Sequence, residues 1–142
     1  MKYNELVELY KRKKSKSKSL VLELQELKEL GSLPRGNNDG MPKSKNNSSP
    51  VENYVLRVMD IQNQLKELDA ELLKIRDIIM VYISMTQDST IKRILELCVF
   101  RSGRKPHWKL IAGDVGYSVR HTQRLYDEGI NQLQKIDLEV QL

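Results

Sequence analysis

The sequence predicts an all-α protein, a long helical hairpin or coiled-coil arm followed by a C-terminal three-helix helix-turn-helix domain. Three observations carry this. A heptad-spaced apolar seam runs without a slip over residues 51–82. A shorter pattern of the same spacing occupies residues 1–30. Near the C-terminus two short helical segments flank a glycine at the spacing of a tight junction between crossing helices.

The first element, residues 1–30, is a basic amphipathic helix. Tyr3, Leu6, Tyr10, Leu20, Leu24 and Leu27 keep the alternating spacing if Lys13 and Ser17 fill the two intervening slots. Between them runs Lys11-Arg12-Lys13-Lys14-Ser15-Lys16-Ser17-Lys18. Such a run is either a solvated face or a phosphate-contacting arm, and both readings stand at this level. Residues 31–50 are dominated by Gly, Pro, Asn and Ser, with almost nothing apolar to offset the entropy of ordering them, and predict a flexible polar linker.

The long heptad helix over 51–85 opens with Ser49 as N-cap, Pro50 at the first helical position and Glu52 completing a capping box. Its seam is Val51, Tyr54, Val58, Ile61, Leu65, Leu68, Leu72, Ile75, Ile79 and Tyr82, with no Gly or Pro within it. At 1.5 Å per residue such a helix is about 50 Å long. Met59, Leu73, Ile78, Met80 and Val81 lie off the seam and predict a wider stripe with more than one packing partner toward the C-terminal end. The seam must be covered. The N-terminal helix folding back along it, or that hairpin together with a homodimer, both do so.

The last region, 86–142, begins with Thr86-Gln87-Asp88-Ser89, which breaks the long helix and offers caps for the next. A helix then covers 89–100, with Ile91, Ile94, Leu95, Cys98 and Val99 on one side, followed by the basic loop 101–107. In the junction beyond it, Ala112 is the small residue that lets two helices cross closely. Gly116, four residues on, can take a left-handed conformation. Ile111, Val115, Tyr117 and Leu125 are expected to face the core around the turn, and Ser118 to cap the second helix. Thr122 stands where a β-branched aliphatic residue is more usual. Gly113 weakens the first helix by roughly 1 kcal/mol relative to Ala.

If the second helix enters a major groove, Ser118, Val119, Arg120, Gln123 and Arg124 meet base edges. Arg can grip guanine, and Gln adenine, through two hydrogen bonds. Arg104, Lys105, His107 and Lys109 are placed for phosphates. Trp108 is expected to face the core. Between Lys92 and Arg124 the only acids are Glu96 and Asp114, and the whole 142-residue chain carries a formal charge of +5.

Other classes find little support. Cys98, the only cysteine, sits in an apolar run and reads as a small buried hydrophobe; its solitude suits a reducing cytoplasm. His107 and His121 have no spaced Cys, Asp or Glu partners for a metal. There is no Gly-rich phosphate loop and no Ser/His/Asp or Cys/His set, so neither an enzyme nor a cofactor is expected. The opening residues lack a signal-peptide core, and the longest apolar stretch, 78–85, is too short to span a bilayer. A cytoplasmic protein with no membrane partner is the expectation.

The pattern Trp108-x-x-Ile111-Ala112-x-x-Val115-Gly116-Tyr117-Ser118-x-x-His121-x-x-Arg124-Leu125-Tyr126 resembles the C-terminal domain of phage transcriptional regulators of the RinA/ArpU type, whose helix-turn-helix is similar to sigma-factor region 4. A basic N-terminal helix, a polar loop (Asn46-Asn47-Ser48-Ser49-Pro50-Val51-Glu52-Asn53) and a long helix ahead of the reader resemble the layout of one phage subfamily. Phe100 and Arg101 stand where that family places an aromatic residue before a short loop. Lys109 and Leu110 stand where it has an acidic pair, which is a departure. The resemblance implies a sequence-specific regulator of phage or phage-island genes, acting as an activator of late, packaging-related genes, with double-stranded DNA and host RNA polymerase as partners. Two other functions fit the same elements. One is a small-terminase-like DNA-recognition subunit; the other is a coiled-coil interaction adaptor that binds no DNA.

Overall fold

A computed structural model describes residues 1–32 and 50–142. Every regular element among them is helical: α1 (Tyr3–Ser32), α2 (Pro50–Ser84), α3 (Ser89–Glu96) continued by a π-helical turn (Leu97–Arg101), α4 (Trp108–Val115) and α5 (Val119–Gln134). The expected linker falls, from 33 to 49, outside the described residues, and with it the capping box built on Ser49. The chain forms two compact units, one of Met1–Lys14 with Glu71–Leu142 and the other of Ser15–Ala70, so α1 and α2 contribute to both.

In the Ser15–Ala70 unit, Leu20, Ile61 and Leu68 are buried, with Leu24, Leu27 and Leu65 packed around them. These are seam residues of both helices, and Arg57 pairs with Glu23 near them; the first expected seam position, Val51, is instead exposed. In the larger unit Tyr3, Leu6 and Tyr10 of α1 meet Ile75, Ile79 and Tyr82 of α2. Lys13 occupies its slot as an ion pair, its Nζ 2.5 Å from Glu71. Off the seam the outcome differs from the expected wide stripe. Met59, Leu73, Met80 and Val81 are exposed, each next in sequence to a residue turned inward, while Ile78 packs on the core. The second partner of α2, the C-terminal helices, is met through Ile78, Ile79, Tyr82 and Ile83.

Asp88 caps α3, its carboxylate accepting from the backbone N–H groups of Thr90 (2.7 Å) and Ile91 (3.3 Å). The α-helix expected to reach residue 100 stops at Glu96, and the next five residues wind as a π turn. Its wider winding buries three successive side chains, Leu97, Cys98 and Val99. Ser102 closes the end, its hydroxyl donating to the Leu97 carbonyl (3.1 Å) and accepting from the His107 N–H (3.3 Å). Burial pushes the Cys98 thiol up to about 12, with Lys11 pulling it the other way.

Helix α5 packs on both α3 and α4. Its approach to α3 depends on Gly129, where a Cβ would lie 2.6 Å from Ile91 Cγ2 and 3.3 Å from Leu95 Cδ1. A second cluster joins Ile94, Leu97, Cys98 and Ile111 to Trp108, Val115, Leu125 and Tyr126. Trp108 is half-buried there, edge-on to Tyr126 at 5.2 Å. Beyond α5, Ile136, Leu138 and Val140 lay alternate side chains onto the core containing Tyr82. The Tyr82 hydroxyl accepts from the Leu138 N–H at 2.9 Å and donates to the Met1 carbonyl.

Two glycines give opposite expectations. Gly129→Ala forces a methyl into Ile91 and costs about 1–3 kcal/mol. At Gly113 an added Cβ meets nothing within 4 Å, so Gly113→Ala stabilises by about 0.5–1 kcal/mol. Urea unfolding of both variants measures the difference in sign. Because alkylation needs a thiolate, iodoacetamide at about pH 8 should leave Cys98 unmodified in the native protein while labelling it fully in denaturant. Mass spectrometry reads the result, and rapid native labelling would contradict a closed core.

Candidate nucleic-acid interface

The junction between α4 and α5 is built by its backbone. Gly116 ends α4 at φ 78°, ψ 22°, in the left-handed region. The Ala112 carbonyl accepts from the N–H groups of Gly116 (2.9 Å) and Tyr117 (3.2 Å). The chain turns there, and Ser118 starts α5 with its Oγ accepting from the His121 N–H at 3.2 Å. Ala112 is buried, as the close crossing of α4 and α5 requires. Thr122 is fully buried, and its hydroxyl donates to the Ser118 carbonyl at 2.8 Å. That bond lets a threonine occupy a core-facing position, because its only polar group is satisfied within the helix.

Tyr117 departs from expectation. It does not face the core; it is 45% exposed and stands edge-on to the His121 ring, centroids 4.8 Å apart. The turn at Gly116 explains this, since the next residue lies outside both helices and its ring rests on the first turn of α5. Leu110, on the outer side of α4, is 70% exposed.

All nine residues expected to touch DNA are exposed. Ser118, Arg120, Gln123 and Arg124 line one open recess of about 510 Å³ along the first turns of α5, together with His121 and Asp127. Val119 lies on the same turns outside that lining. Arg104, Lys105, His107 and Lys109 sit apart from it, in the loop before α4 and on its first turn. His121 was missed as a site residue by sequence reasoning, although its i,i+3 spacing to Arg124 is visible: Arg124 Nη2 donates to His121 Nδ1 at 2.7 Å.

The cations are not equally free. Arg93 forks onto Asp114 (Nε–Oδ2 3.0 Å, Nη2–Oδ1 3.5 Å), holding that carboxyl below the usual carboxylate range and neutralising one of the two acids of the region. In the basic run of α1, Lys13 is paired and Lys14 lies over the Tyr10 ring at 5.5 Å. Lys11 is partly buried beside Cys98, and that burial holds its ammonium below the ordinary lysine range. Arg76 lies over Phe100 at 5.2 Å, and Phe100 meets Tyr10 edge-on at 5.5 Å. Arg12, Lys16 and Lys18 are exposed.

Among the described residues no group of His, Cys, Asp or Glu could hold a metal ion, and no helix is long and apolar enough to cross a membrane. No protein-family model, curated protein or solved structure matches this chain.

Loss of the α5 cap isolates the junction's local stability. Ser118→Ala should cost about 1 kcal/mol, and Ser118→Asn should return most of it. The measurement is the urea midpoint of each variant. Equal midpoints for Ala and wild type would mean the cap bond does not form in solution.

Proposed function

We propose that α4, the Gly116 turn and α5 act as a helix-turn-helix that reads double-stranded DNA, with the first turns of α5 in the major groove, and that the chain is a non-enzymatic, cytoplasmic transcriptional regulator. In this reading α1 and α2 form a helical hairpin that carries the C-terminal three-helix domain. The observation that carries the proposal is the outer face of α5, where Ser118, Arg120, Gln123 and Arg124 gather around one recess on a helix whose opposite face is locked onto α3 and α4. Two guanidinium groups and an amide at this spacing are the donors and acceptors that base edges in a major groove require. Arg104, Lys105, His107 and Lys109, on the loop before α4 and its first turn, serve phosphates. The acids Asp127 and Glu128 follow on α5 and mark where contact with a polyanion ends.

The resemblance to RinA/ArpU-type regulators favours phage or phage-island late genes as targets, activated through host RNA polymerase. A second reading, in which the helical arm binds protein, is favoured by the exposed apolar side chains Val51, Val55, Leu56 and Met59 at the start of α2. A homodimer joined there is compatible with DNA reading and would deliver two readers to a paired site.

Selection of bound duplexes from a random pool tests the proposal. An enriched site is expected. Arg120→Ala should then weaken binding to that site by about 1–3 kcal/mol and change binding to random DNA much less. Equal loss on both would reassign Arg120 to a phosphate. Absence of any enrichment at low salt would leave the protein-binding reading.

A further inference from the structure

We propose that His121 is a positioning residue that orients Arg124 before DNA arrives and so sets which base pair Arg124 reads; this rests on the DNA-reading role of α5.

His121 and Arg124 are neighbours on one face of α5, three residues apart. The 2.7 Å contact from Arg124 Nη2 to His121 Nδ1 has only one chemical solution. A guanidinium has five N–H donors and no acceptor, so Nδ1 must offer its lone pair and the imidazole proton must sit on Nε2. The ring is in turn steadied by Tyr117, which meets it at 90°. The Tyr117 backbone is held by its own N–H to the Ala112 carbonyl and follows the left-handed Gly116, which sets where its ring emerges. A chain of contacts thus runs from the turn, through two rings, to a guanidinium on the outer face of the helix.

The direction of that guanidinium is informative. Asp127 lies three residues beyond Arg124 and lines the same recess, yet no ion pair joins the two among the described residues. Arg124 turns instead toward the N-terminal end of α5, the end a reader helix inserts. One Nη2 hydrogen is committed to His121, and four N–H groups remain, enough for a two-bond grip on guanine O6 and N7. Arg93 shows the contrast: its fork is engaged by the Asp114 carboxylate. An exposed arginine without a tether loses more rotamer freedom on binding than one already held.

The test compares His121→Phe, His121→Asn and Arg124→Ala in the full-length chain. Phe keeps a ring against Tyr117 and removes the acceptor. Asn returns an acceptor oxygen near the place of Nδ1. Each protein is run against a random duplex library, then against the selected site and its single-base variants. Arg124→Ala should flatten preference at one base pair. His121→Phe should lower discrimination at that same base pair by about 5- to 10-fold and leave the other positions as they were. His121→Asn should recover most of the loss. If His121→Phe discriminates as wild type does, or loses affinity equally on every duplex, or if Asn rescues nothing, the positioning role is wrong. If Arg124→Ala changes preference nowhere, the failure belongs to Arg124's reading role and not to the tether. Should the Phe variant lose helicity by circular dichroism, His121→Leu replaces it; because Leu removes the ring as well as the acceptor, recovery by His121→Asn, which restores the acceptor alone, is then the deciding readout.

Discussion

The spacing between α3 and α5 is fixed at Gly129, where two Ile91 and Leu95 side chains leave no room for even a methyl group. Much of the C-terminal architecture follows from that approach. With α5 seated this deeply, Leu133 reaches the core that holds Tyr3 and Tyr82, while Leu125 and Tyr126 bridge to the cluster around Ile94 and Ile111. The inner side of α5 is then fully occupied. Its polar first turns are left facing outward.

The parts of the fold legible in the sequence are those in which one residue decides one local geometry. Alternating spacing marks Leu6, Tyr10, Ile61, Leu68 and Ile75 as inward, and all are buried. Ser118 caps and Gly116 reverses because a hydroxyl and a missing Cβ have few other uses at those positions. The less legible parts depend on what stands opposite. Periodicity marks Met80 and Val81 as apolar but not whether a neighbour exists to cover them. Gly129 reads as an ordinary weak point in a helix until Ile91 is placed beside it. Ile136, Leu138 and Val140 close the helical core as an extended strap, which no helical periodicity announces. Of the candidate site, the outward residues of α5 were readable from the expected junction. The His121–Arg124 contact was not, because it is a choice among rotamers and Asp127 offered an equally spaced partner.

Net charge is a poor guide to where the protein can meet an anion. Part of the basic character is spent internally, on Glu71, on Asp114 and on the rings of Tyr10 and Phe100. Exposed pairs of this kind contribute little to stability. Their larger effect is on the surface field, because they decide which cations stay available. What remains open among the C-terminal helices lies largely on α5 and on the loop leading into α4.

The π turn at Leu97–Arg101 has a consequence for the length of the chain. A π turn is, in geometry, an α-helix holding one residue too many. Removing any one residue from it would let the segment relax to α winding and rotate everything after it by about 100°. Ser102 would leave the Leu97 carbonyl, and the loop carrying Arg104 and Lys105 would exit in another direction. The segment therefore works as a spacer whose residue count, more than its composition, aims the downstream helices.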